Sequence, residues 1–79
     1  MERNEILIKL QDIIREAVDD EEVEISESTV AADVEGWDSL AQVLIVGQLQ
    51  NEIGVRLSST EVAACANVGE FVDAIIKKM

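Results

Sequence analysis

Seventy-nine residues carry 17 acidic and 6 basic side chains, a formal net charge of -11, with no His, no Pro, no Tyr and one Cys. A chain of this size forms one domain and buries only about 60% of its unfolded surface, which leaves little to wall off a dry catalytic cleft. Without His there is no Ser-His or Cys-His nucleophile, with one Cys there is no structural zinc site or internal disulfide, and six basic residues are too few for tight phosphate binding.

Nucleic acid and anionic membranes are therefore excluded as partners, and basic partners are favoured. Ile, Val and Leu number 25 of 79, which supplies a core and argues against an acidic disordered tail. Met1-Glu2-Arg3-Asn4 opens directly into an amphipathic segment, without the basic and apolar regions of a signal peptide. The longest uncharged run, Ser39 to Asn51, is 13 residues with three Gln, too short and too polar to span a membrane. A single thiol fits a reducing, cytoplasmic setting.

In chain order, the first element is an amphipathic helix over about residues 4 to 18. At 100° per residue, Ile6, Leu7, Leu10, Ile13, Ile14, Ala17 and Val18 share one arc, and Lys9, Gln11, Asp12, Arg15 and Glu16 lie opposite. From Asp19 to Asp38 no period is sustained. Isolated Val23, Ile25, Val30 and Val34 in this stretch predict an ordered connection tacked onto the bundle, unusually long for a linker.

A helix resumes at Ser39 and runs to about Ile53, stopping at Gly54. Ser58 and Glu61 form a capping-box pair that opens a short helix through about Ala66. Asn67 with Glu70 opens the last helix, whose core face is read as Phe71, Val72, Ile75, Ile76 and Met79, with Lys77 and Lys78 suiting the negative end of its dipole. The expected fold is all-α: a small four-helix bundle over residues 1–79 as a single domain, with a short third helix and a long first loop. Cys65, flanked by Ala63, Ala64 and Ala66, reads as a small buried hydrophobe, and Trp37 as a plug packing the loop against the bundle.

The second helix has two apolar faces. Ile45, Val46, Leu49 and Ile53 form one, and Leu40, Val43, Leu44 and Gly47 form the other. Either the helix is central and buried all round, or the second stripe is an exposed docking surface. Gly47 favours docking, because a mid-helix glycine costs about 1 kcal/mol relative to Ala and leaves a notch that another molecule can approach.

Ahead of that stripe stands Gly36-Trp37-Asp38-Ser39-Leu40. Asp38 suits the N-cap, accepting from free amides of the first turn. Ser39 then presents its hydroxyl at the positive end of the dipole, which favours an attached phosphate ester, although Asp38 opposes it at close range. Ordinary helix-start chemistry explains the same serine.

Asp38-Ser39-Leu40, a helix ending Leu49 to Gly54, and Asn67-Val68-Gly69-Glu70 opening the final helix together resemble the acyl carrier protein family, the 4'-phosphopantetheine carriers. The likeness extends over essentially the whole chain. It implies that Ser39 accepts 4'-phosphopantetheine from coenzyme A by the action of a separate phosphopantetheinyl transferase. The arm's thiol then carries acyl or aminoacyl groups as thioesters between acyl-loading and acyl-processing enzymes. It further implies that Asp38 helps position Ser39, that Leu40, Val43 and Leu44 form the gripping face, and that the protein acts as a monomeric, non-catalytic carrier.

Carriers of the common fatty acid synthase type resemble this sequence but usually spread acidic residues along the second helix. Here the only charge between Ser39 and Ile53 is Glu52. The opening Gly-Trp-Asp-Ser-Leu-Ala looks more like stand-alone carriers of specialised pathways. Two other classes stay open: an acidic helical adaptor without a prosthetic group, and a small enzyme with Ser39 as nucleophile, which has no His base and no Gly-x-Ser-x-Gly elbow. The charge itself is lopsided. Residues 1 to 38 hold 13 acids and 3 bases, whereas residues 39 to 79 hold 4 acids and 3 bases. The helix expected to grip partners is therefore nearly neutral, and the acidic half is placed to steer a basic transferase.

Overall fold

The 3.6-residue periodicity at the two ends of the chain appears as α1 (Arg3–Val18) and α4 (Val68–Lys78), with α2 (Ser39–Glu52) and the short α3 (Ser59–Ala63) between them. A computed structural model describes residues 1–79, and its α1–α2 connection contains one 3-10 turn at Ala31–Asp33. The arrangement is the expected four-helix bundle.

At each helix start a side chain accepts a hydrogen bond from a nearby backbone amide. Glu5 folds back so that its carboxylate accepts from the Glu2 amide at 3.2 Å, and Ser58 and Glu61 exchange two bonds of 3.1 Å in a full capping box. Asn67 Oδ1 accepts from Glu70 N at 2.9 Å, but the return bond differs from the expected pair: the Glu70 carboxylate accepts from Ala66 N, not from Asn67. α1 ends in a left-handed Asp19 at φ 55, which lets the Asp20 amide reach Arg15 O at 3.0 Å.

The core gathers Ile6, Leu10, Ile13 and Ile14 of α1, Ile45 and Leu49 of α2, and Phe71, Val72 and Ile75 of α4, all at most 2% exposed. Burying each such side chain stabilises the fold by about 1.5–3 kcal/mol. Two positions assigned to the core face of α4 lie outside it. Ile76 is 41% exposed and Met79 57%, because no element packs over the last turn of α4 on that side. α3 is also shorter than its sequence suggests, ending at Ala63 with Ala64 as its C-cap. Cys65 is only half-buried, and its Sγ donates to Glu61 O at 3.5 Å.

The long connection is ordered by more than its aliphatic residues. Val34 is buried, while Val23 and Ile25 pack partly buried against the core. Arg15 Nε donates to Val23 O at 2.6 Å, and Gln11 Oε1 accepts from Ile25 N at 2.9 Å. Farther along, Thr29 O and Glu27 O accept the Val68 and Gly69 amides, both at 2.8 Å. The loop thereby supplies acceptors for the first two amides of α4. Arg3 locks this junction by bonding the Glu27 carboxylate, Asp73 Oδ1 at 2.6 Å and Gly69 O at 3.0 Å.

Candidate functional site

The approach to α2 is built by three consecutive residues. Gly36 sits at φ 90, and a Cβ there would lie 3.3 Å from the Val18 Cβ, so both conformation and space call for glycine. Trp37 then turns inward, its ring 6.5 Å from the Phe71 ring at a tilt of 50°, and its Nε1 donates to Gln42 Oε1 at 2.7 Å. This is the expected plug. Asp38 caps the helix, with Oδ1 accepting from Ala41 N at 2.9 Å and its carbonyl oxygen accepting from Gln42 N, also at 2.9 Å.

Ser39 is therefore the first helical residue, exposed and held on an anchored turn. Its own amide and that of Leu40 have no acceptor in the protein. Here the start of α2 differs from that of α4, whose corresponding amides are paired by the loop. An exposed hydroxyl beside two free N–H groups, at the positive end of a 14-residue helix, is a donor set suited to a phosphodiester. The nearby Asp38 charge is partly offset by its bond to Ala41 N.

Beside Ser39 opens a broad cleft of about 700 Å³, walled by Ala31, Trp37, Gln42, Val43, Ser59 and Thr60. Gln42 spans it: Oε1 accepts from Trp37, and Nε2 donates to Ser59 O at 3.3 Å, tying α2 to α3. Neither Gln42 nor Ser59 and Thr60 is marked by the sequence as part of a site. Gln42 lies three residues after Ser39, on the same helical face, a spacing that could have pointed to it. The α3 residues carry no such signal, since only tertiary packing brings them to the start of α2.

The second stripe of α2 is a surface. Leu40 is 71% exposed, Val43 59% and Leu44 48%, while Gly47 is open with no atom within 4 Å of where its Cβ would stand. The opposite face, Ala41, Ile45 and Leu49, is buried, so the reading of α2 as buried all round is wrong. From Ser39 to Asn51 this helix carries no charge at all.

Cys65, the one thiol, is poorly placed to react. Burial raises its pKa, with the neighbouring carboxylates of Glu70, Asp73 and Glu61 adding to the effect. No helix is long and apolar enough to cross a membrane.

Residues 9–75 match the family model described as the phosphopantetheine attachment site. The chain is 32% identical over 77 residues to an acyl carrier protein of Thermotoga maritima, covering 98% of this chain and 95% of that protein. It is also similar to the solution structure of a holo acyl carrier protein from Geobacter metallireducens, with a TM-score of 0.78 and 29% identity over 91% of this chain and 83% of that one.

Proposed function

Because the chain belongs to the acyl carrier protein family, we propose that Ser39 is the residue to which its phosphopantetheine is attached, with residues 1–79 acting as one carrier domain. The protein is a carrier, not a catalyst; it holds phosphopantetheine covalently and works with acyl-processing enzymes. When bound, that group supplies a thiol on a long arm, where acyl units are held as thioesters.

The observation that carries the choice of Ser39 is its place as the first residue of α2, exposed, with the free amides of Ser39 and Leu40 beside it. None of the other serines combines these features with the start of a long helix: Ser26 and Ser28 bond each other in the loop, Ser58 is engaged as the cap of α3, and Ser59, though exposed with free amides, opens a helix of only 5 residues. In the loading step a phosphopantetheinyl transferase would join Ser39 Oγ to the phosphorus of coenzyme A's phosphopantetheine half. The bond to the nucleotide half breaks, and the hydroxyl proton passes to a base of the transferase. Asp38 contributes by fixing the helix start, and the acidic loop by attracting a basic enzyme.

Leu40, Val43, Leu44 and Gly47 are the proposed docking face for the transferase and for the acyl-loading and acyl-processing enzymes. A lone, half-buried thiol suits a cytoplasmic protein. An acidic adaptor without a prosthetic group accounts for the stripe but leaves the match to the attachment-site model over residues 9–75 unexplained.

Incubation with a transferase and coenzyme A is expected to add one phosphopantetheinyl mass, and Ser39→Ala to prevent it. Attachment at Ser26, Ser28, Ser58 or Ser59 would overturn the assignment.

A further inference from the structure

Beside the cleft at Ser39 lies a second, smaller and partly open pocket of about 80 Å³, bordered by Val62, Cys65, Asn67, Val68 and Phe71. Four residues line both spaces: Ala31, Trp37, Gln42 and Ala63. They form the partition between the cleft, where a group attached to Ser39 would emerge, and the pocket that borders the core side chains Val62, Val68 and Phe71. Gln42 is the bolt of that partition. Both ends of its amide are committed, to the Trp37 indole at 2.7 Å and to the Ser59 carbonyl at 3.3 Å, so the loop, α2 and α3 are joined across one side chain.

The pocket is small. At 80 Å³ it is about half the roughly 150 Å³ of an apolar cavity that takes up benzene, room for about two or three methylene-sized groups. Beyond it the side chains of Val62, Val68 and Phe71 are at most 4% exposed and packed into the core, so a longer chain enters only by displacing them. The outer cleft is open and lined mostly by the apolar surface of Ala31, Trp37, Val43 and Ala63, with the hydroxyls of Ser59 and Thr60 as its free polar groups.

Resting on the assignment of Ser39 above, we propose that the Trp37–Gln42–Ser59 bridge bars the core, so that this carrier holds its acyl units in the surface cleft and does not sequester alkyl chains. Gln42 is then a specificity-determining residue: it decides which cargo stays outside.

The test loads the full chain through a transferase with butanoyl-, octanoyl- or dodecanoyl-coenzyme A, and reads the methyl NMR signals of Val62 and Val68 with the fluorescence of Trp37. In the wild type these signals are expected to be the same for octanoyl and dodecanoyl as for butanoyl loads. Gln42→Ala, which removes the bolt, and Trp37→Phe, which keeps an aromatic ring but removes the N–H donor, are expected to let the octanoyl load shift the Val62 and Val68 methyls. A wild-type protein whose core methyls move with the octanoyl load overturns the proposal while leaving Ser39 intact, and so does absence of any shift in both variants. Failure of the wild type to gain mass at Ser39 overturns the underlying assignment and the barrier with it.

Discussion

The Gly69 amide donates to Glu27 O at 2.8 Å, and a Cβ at position 69 would stand 3.0 Å from that same oxygen. The glycine in the first turn of α4 is thus a contact residue, present where the backbone of the long loop crosses the helix start so closely that an added methyl group would force one of them to shift.

Gly69→Ala is accordingly expected to destabilise the protein. Overpacking of this kind costs about 1–3 kcal/mol, more than the roughly 1 kcal/mol that Ala gains over Gly within a helix. The added Cβ also lies 3.2 Å from Asn67 Oδ1, which caps Glu70. Chemical denaturation should show a lower midpoint, and a rise in stability would refute the contact.

Gly47→Ala should do the opposite. With nothing within 4 Å of its Cβ and a mid-helix place in α2, the substitution is expected to add about 0.5–1 kcal/mol. Partner affinity, measured on the same variant, then reports whether the notch is used: weaker binding by a more stable carrier marks it as a contact.

Removing Arg3 tests the junction between loop, α1 and α4. Its guanidinium holds Glu27 below the usual carboxylate range, chiefly through their side-chain hydrogen bonds. A depressed folded-state pKa means that this contribution is full above the ordinary carboxylate pKa of about 4.3 and is lost as pH falls through the lower folded value. Arg3→Gln should lower Tm near neutrality, and the gap to the wild type should narrow on acidification, leaving the part due to the Gly69 carbonyl, which does not titrate. Taking the difference cancels the general relief of repulsion in a chain of net charge -11. A gap that stays constant down to the lowest pH would argue against the pairing.

Docking through α2 should depend weakly on salt. The exposed stripe is apolar and the helix uncharged from Ser39 to Asn51, so neither screening nor counterions have much to act on there. Titrations with a cognate acyl-processing enzyme from low to high ionic strength should give a shallow slope. Leu44→Ala, at a site already 48% exposed, should weaken binding by about tenfold, equivalent to about 1.4 kcal/mol, with stability within about 0.5 kcal/mol of the wild type. A steep slope would mean that the acids of α1 and the loop dominate recognition.

Much of the fold was legible in the sequence because it rests on local chemistry. The caps Asp38, Ser58 and Asn67, the apolar arc of α1 and the uncharged second stripe of α2 are all encoded within a few turns of chain. The place of Ser39 at its helix start was legible for the same reason, being a short-range property, whereas its proposed role came from the resemblance to the acyl carrier protein family. The misplaced Ile76 and Met79 show where that logic stops, since helical period says which residues share a face but not how far the neighbouring element extends to cover it.

Tertiary structure alone decided the rest. Arg3 meets Glu27 and Asp73 across 24 and 70 residues, and Gln42 reaches Ser59 across 17. The cleft beside Ser39 exists only because α3 is carried to the start of α2, and the partition beside it only because Trp37 turns in upon Phe71. Local hydrogen bonding and periodicity set the elements and the point at which Ser39 is exposed. The space around that point is set by which distant side chains arrive there, and no local pattern records that.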